Sequence, residues 1–295
     1  LAGVMAMELS KAFVKAKNPC ADGFRWFLRH RPQGEDYQPL LDALVADGRV
    51  DDACWLLAQF GPTSAVLQLD ELSCESIVFA GAIEVRGGID AGARVRAGRG
   101  IRAGGDIRVG RELVAGETIA AGGVVEATTL EAGGDLLAGA AVIEGALRAG
   151  GQLRIARDLV CRRDLDVGAQ ASVGGVLVVE GEVRGARSLR VRGTLRTGGG
   201  GRAGDGGLVE GAIDCGSHLD AGWGIKAGGP ITARGAIRAG ESLCADGEIV
   251  AGAGYGVYAG LCVQREDWAG SARVVATERP AELLSGCWVG PAVLA

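Results

Sequence analysis

The sequence predicts a mainly β chain whose centre is a triangular parallel β-solenoid of about 18 residues per coil, with a small α-helical module before it and a C-terminal cap after it. Three observations carry this. A six-residue period runs through the middle of the chain, most plainly in IRAGGD-IRVGRE-LVAGET-IAAGGV from Ile101. Within each hexad an aliphatic residue, a polar one and a small apolar one alternate, as in Ile101-Arg102-Ala103. Glycine is abundant, 52 of 295 residues, while aromatics are 4%, so the core must be built from Leu, Ile, Val and Ala.

Residues 8–62 lack the hexad and show helical spacing. Phe24, Phe27 and Leu28 form one stripe, Leu40, Leu41 and Leu44 another, and Cys54, Leu56, Leu57 and Phe60 a third. Asn18-Pro19, Arg31-Pro32-Gln33-Gly34 and Gly61-Pro62 separate or end the helices, because proline removes a backbone donor and glycine tolerates the terminal turn. Trp26, Trp55 and Tyr37 are expected in the core of this module. Val66, Leu67 and Leu69 then lead into the solenoid, assigned to residues 66–264.

Each hexad reads as one short strand and one corner. Side chains alternate along a strand, so the first and third residues point inward and the middle one outward. Anchors run from Ile77 through Ile83, Ile89, Val95, Ile101, Ile107, Leu113, Ile119 and Val125. A one-residue slip leads to Leu130, Leu136 and Val142; a second, near Gly145, leads to Leu147, after which the count is expected to hold to Leu261. Glycines such as Gly104 and Gly228 follow the strands, where a positive φ would turn the corner.

With three hexads per coil, outward residues stack in columns. One reads Glu131, Arg148, Asp166, Arg184, Arg202, Asp220, Arg238, and its opposite charges attract. Another reads Asp90, Arg108, Glu126, Ile143, Val160, Val178, Arg196, Asp214. Ile143, Val160 and Val178 would then form an apolar strip, either covered by a flanking segment or serving as a subunit or partner interface. Cys244 and Cys262, separated by one coil length, would stack outward as a thiol pair on adjacent coils, within reach of a short cross-linker. Two thiolates without a third ligand make a poor metal site.

Residues 265–295 break the repeat and supply Trp268 and Trp288, read as a cap because an uncovered last coil is an adhesive strand edge. Trp223, Tyr255 and Tyr258 fall near this end, where end packing and a ligand platform are the two readings. His218 precedes an anchor, so it occupies a corner, as a solvated turn histidine or, in the catalytic alternative, a general base.

Composition narrows the function classes. A net charge of −5 and mean hydropathy of +0.21 argue against both a wholly basic nucleic-acid surface and a disordered chain. Eight dispersed cysteines without a CxxC motif, and two histidines, offer no local zinc or redox motif, so no cofactor is expected and reduced thiols in the cytoplasm are the simplest reading. No basic n-region precedes an apolar run, and no apolar stretch is long enough to span a membrane. The GxGxxG-like string from Gly198 to Gly204 lies inside the repeat and opens no helix, so it carries no nucleotide reading.

The hexads of residues 77–264 resemble those of bactofilins, bacterial cytoskeletal proteins; the resemblance implies a right-handed solenoid that polymerises end to end. A helical module and a tryptophan-bearing segment depart from the bactofilin pattern of short tails, and capped ends would block polymerisation. Left-handed hexapeptide acyltransferases share the period, but their small inward residue precedes the anchor by two positions, whereas here it follows, as in Ile225-Lys226-Ala227. The expectation is a non-catalytic scaffold or protein-interaction solenoid, self-associating or binding a protein partner. The alternatives are an immunity or adaptor protein for one specific partner and, disfavoured, a hexapeptide-type acyltransferase.

Overall fold

The computed structural model describes residues 11–30, 37–185 and 187–291. It is a parallel β-solenoid preceded by helices and followed by a small region of helix and strand. The Arg31-Pro32-Gln33-Gly34 break lies outside the described residues. No helix among the described residues is long and apolar enough to cross a membrane.

Four helices open the chain: α1 (Lys11–Ala16), α2 (Ala21–Arg29), α3 (Gln38–Ala46) and α4 (Val50–Phe60). Asn18 takes a left-handed φ of 52° between the first two, and Gly61, at φ 78°, ends the fourth before Pro62. Trp26, Phe27, Tyr37, Leu40, Leu41, Leu44, Leu56, Leu57 and Phe60 form the module's core, whereas Leu28 is exposed and Trp26 takes its place on the buried stripe. The indole of Trp26 donates to Asp47 Oδ2 at 2.6 Å, satisfying its one polar atom. The module lies on the flank of the rod. Val78 and Ala80 belong to its core, and the Gln38 amide bridges to the strand, donating to Val78 O (3.0 Å) and accepting from Ala80 N–H (2.7 Å). Arg94 ties the second coil to the module through Asp51 at 2.6 Å.

The solenoid strands form three rows, each strand pairing in parallel with those one coil below and one coil above. In the middle of the rod, Ala140–Ile143, Leu159–Cys161 and Leu177–Val179 stand in the first row; Leu147–Ala149, Leu165–Val167 and Val183–Gly185 in the second; Leu153–Ile155, Ala171–Val173 and Leu189–Val191 in the third. Leu147 faces Leu165 and Leu165 faces Val183, the 18-residue step of the sequence. In the lower coils one strand serves both the first and second rows, as in Ile89–Ala97, Ile107–Ala115 and Val124–Ala132. Ile101, Ile107, Leu113, Leu147, Leu159 and Leu177 are fully buried, making one continuous aliphatic column through the rod.

Three sequence expectations are corrected. The second slip falls before Ala141 rather than near Gly145, because Ala141 pairs with Leu159, Val142 with Val160 and Ile143 with Cys161. Ile143 is therefore inside, at 0% exposure, and Val142 is outside at 36%. The alternative register would have carried Glu144 inward, and a dry aliphatic core does not accept an unpaired carboxylate.

Gly104 and Gly228 do not take positive φ. They are glycines because the coil below passes too close: a Cβ on Gly104 would overlap the carbonyl oxygen of Arg86, and one on Gly228 that of Glu210. Close backbone approach, not a left-handed turn, selects the corner residue.

The regular count stops at Ile249–Val250 rather than Leu261. The stretch 251–256 carries two residues more than the repeat, so Val257 rather than Tyr255 pairs with Ile237, and the chain then loops through a short helix before Arg273–Val275 continues the third row above Leu243. Buried Val257, Ala259, Ala272, Val274, Ala276 and Pro280 close this end. Trp268 packs against Gly260, while Trp288 stands exposed on a final strand paired to Val274. Backbone and small residues, more than the tryptophans, fill the interior at this end.

Candidate interaction surfaces

The corners show what holds successive coils together. Asp106 Oδ1 accepts the Val124 N–H at 2.8 Å, Asp135 Oδ1 that of Gln152 at 2.7 Å, Asp158 Oδ1 that of Val176 at 2.7 Å, and Asp164 Oδ1 that of Glu182 at 2.9 Å. Each aspartate precedes an anchor and captures an amide of the next coil that would otherwise lack a backbone partner. The hydrogen bond from Val124 holds the Asp106 carboxyl below the usual carboxylate range, with Arg108 adding to the effect.

His218 performs the same task. Its Nδ1 accepts the Ala236 N–H at 2.9 Å, and the Tyr255 ring meets it edge-on at 5.2 Å between centroids. The nitrogen that could have served as a base is engaged in stitching one coil to the next. Trp223 stands elsewhere, at the corner between the second and third rows, 58% exposed. Tyr258 stacks above Arg238. The aromatics of the far end are thus dispersed, Trp223 and Tyr255 at two different corners and Tyr258 on a strand.

The structure parts the two cysteines that the hexad count would have stacked. Cys244 lies beside Val275, because Arg273–Val275 occupies the position above it. The Cys262 N–H donates to Gly240 O at 2.8 Å, and its sulfur lies over that glycine. The two extra residues at 251–256 and the loop between Val257–Tyr258 and Arg273–Val275 together take Cys262 out of the repeat. All eight cysteines are free; burial pushes the thiols of Cys54, Cys74 and Cys161 up from their ordinary pKa.

The apolar strip exists with Val142 in place of Ile143. The first-row column runs Glu126, Val142, Val160, Val178, Arg196. Val176, on the preceding corner, is 39% exposed and widens it. An ionic ladder borders it, Arg162 reaching Glu144 at 2.6 Å and Glu180 at 3.0 Å, and these carboxylates raise the pKa of the guanidinium further. The helical module lies against the strand Leu72–Phe79, away from this strip.

The first coil of the rod is open. Val66–Leu69 pairs only with Ala82–Val85, and Leu72–Phe79 only with Ile89–Ala97, so among the described residues one edge of each strand has no partner. The inward Leu67, Leu69, Cys74, Ile77 and Phe79 of this coil are only half-buried, whereas Ile83, Val85, Val95 and Ala97 directly above them are buried.

The three outward columns also differ in charge. In the second row Asp166 lies between Arg148 (3.6 Å) and Arg184 (3.5 Å), and Asp220 between Arg202 (3.8 Å) and Arg238 (3.5 Å). The third row reads Arg102, Ala120, Leu137, Arg154, Ser172, Arg190, Leu208, Lys226, Cys244, with no carboxylate from Arg102 upward. Sequence reasoning passed over this column, although reading every coil from Arg154 would have exposed it.

Residues 7–60 match the family model described as the YdhT N-terminal domain, which covers the helical module and leaves the solenoid outside the match. No curated protein and no solved structure matches the chain.

Proposed function

We propose that the chain is a non-catalytic interaction scaffold that pairs with a second copy through its first coil. The observation that carries this is the open first coil. Among the described residues the first coil offers unpaired strand edges over an aliphatic layer, Leu67, Leu69, Ile77 and Phe79, that is only half-buried. Unpaired β edges with apolar residues behind them are templates for another chain. Pairing between two copies of the same end closes as a two-fold dimer, whereas head-to-tail growth would join the first coil to the opposite end. The reading includes a right-handed coil of triangular section, bactofilin-like in architecture, in a bacterial cytoplasm that keeps the thiols reduced. The engaged Nδ1 of His218 weighs against the acyltransferase alternative.

Light scattering over a concentration series tests it. A dimer is expected for the native chain, and a monomer with unchanged circular dichroism for Ile77→Glu. Mass that keeps rising with concentration would replace the dimer by a filament, and a monomer throughout would end the self-association reading.

The strip Val142, Val160, Val178 supports a second reading, an adaptor that holds one partner on its first row. Val160→Lys should then abolish co-purification of that partner and leave the dimer intact. Unchanged co-purification would count against the strip.

A further inference from the structure

The third row carries a regularity that the other two rows lack. Arg154, Arg190 and Lys226 occupy its central column at every second coil, with Ser172 and Leu208 between them. All three cations are exposed, and among the described residues none has a carboxylate within ion-pair distance, in contrast to the second-row arginines. Arg192 adds a fourth exposed cation. It lines, with Arg154, Ser172 and Arg190, a shallow groove of about 610 Å³ floored by Gly139 and Gly174. Of the flanking carboxylates, Asp158 accepts the Val176 N–H, and Asp205 and Glu241 line a neighbouring groove with Arg190 without pairing with it.

Stacked strands lie about 4.8 Å apart, so cations on alternate coils repeat at roughly 9.6 Å along the rod. An extended polyproline II peptide has three residues per turn and rises about 3.1 Å per residue, so it presents every third side chain on one side at roughly 9.3 Å. The two repeats match to within a few tenths of an ångström per step. A nucleic-acid or membrane surface would call for a broad, continuous field of cations. Here the cations form one narrow line on a chain of net charge −5, interrupted by Leu137 and Leu208.

We propose that the third row is a docking surface for an extended acidic segment of a partner protein, one that carries a carboxylate at every third residue and lies along the rod axis across Arg154, Arg190 and Lys226. This rests on the scaffold reading and names the class of partner. Carboxylates recognised there would form charge-assisted hydrogen bonds to guanidinium groups that have no internal partner.

The test is fluorescence anisotropy with the full chain and a fluorescein-labelled peptide of four Glu-Pro-Pro repeats at low salt. Saturable binding is expected, weaker for a peptide of the same composition with its glutamates clustered at one end. The pair Arg154→Glu and Arg190→Glu should lose about tenfold or more in affinity, and Arg202→Glu on the second row should change little. Should charge reversal disturb folding, Arg154→Gln with Arg190→Gln reads the same loss. No binding to the native chain, equal loss in the Arg202→Glu variant, or tighter binding of a single-stranded oligonucleotide or of vesicles containing an anionic lipid would overturn the proposal. A native dimer that fails to bind the peptide removes the acidic-segment assignment alone; a monomer that binds it removes only the dimer.

Discussion

Replacing Ile143 by Ala tests the register of the rod at the point where it is least regular. The side chain is fully buried, between Ala127 below and Cys161 above. Truncation to alanine deletes three carbons, about 2.4 kcal/mol at roughly 0.8 kcal/mol per methylene, and the cavity left behind raises the total toward about 3–4 kcal/mol. Val142→Ala, one residue earlier on the outward side, should stay within about 0.5–1 kcal/mol, a small loss of β propensity and of strip packing. Repeat proteins lose stability locally, since each coil touches only its neighbours, so the informative assay is native-state hydrogen exchange. Amides of the strands Val124–Ala132, Ala140–Ile143 and Leu159–Cys161 should lose protection in the Ile143 variant and keep it in the Val142 variant. Equal effects, or a larger one at Val142, would refute the placement of the slip before Ala141.

Glycines divide into two kinds that substitution separates. Gly104→Ala forces a Cβ into the Arg86 carbonyl and should lower the thermal midpoint, whereas Gly207, an anchor position with open space where its Cβ would be, should gain about 0.4–1 kcal/mol on change to Ala. Equal midpoints for the two variants would contradict this division. The Asp106 carboxyl has a folded pKa depressed by the Val124 N–H, so its contribution is complete above the unfolded value near 3.9 and is lost as pH falls through the lower folded value. Asp106→Ala should accordingly be less stable than the native chain at pH 7 and converge with it in acid, as followed by urea titration at each pH. A difference that persists unchanged below pH 2 would show that the hydrogen bond is not the source. A short thiol cross-linker should fail to join Cys244 to Cys262, and a thiol reagent should modify exposed Cys20 and Cys262 well before buried Cys161 and Cys215. A mass shift from an intrachain link between Cys244 and Cys262 would restore the unbroken count.

Strict local chemistry made the hexads legible. Ile101-Arg102-Ala103 and its kin alternate without ambiguity, and the second-row column of paired charges follows from counting alone. The slip at Ala140-Ala141-Val142-Ile143 was harder because two registers both place an aliphatic inside. The fate of Glu144 separates them, and it lies one residue beyond the triplet. The end of the repeat was obscured because residues 251–256 keep the glycine rhythm of a coil while adding length, which left Tyr255 as a false anchor and Cys262 out of position. The roles of Asp106, Asp135, Asp158 and Asp164 could have been read from their shared place before an anchor, and that pattern would also have explained His218. The open first coil could not be read in advance, since nothing in the helical stripes distinguishes a module seated on the end of the rod from one seated on its side.

From Glu131 to Arg184 the charges of the second row alternate from coil to coil, and only at Arg184 and Arg202 do two like charges meet. Excising one coil, residues 165–182, would leave hydrophobic columns and corners in register but bring Arg148 against Arg184. Excising two, residues 147–182, would instead bring Glu131 against Arg184 and restore attraction. Within that block, lengths that differ by even numbers of coils keep attraction between neighbours, a parity set by electrostatics on a backbone that would itself accept any whole number.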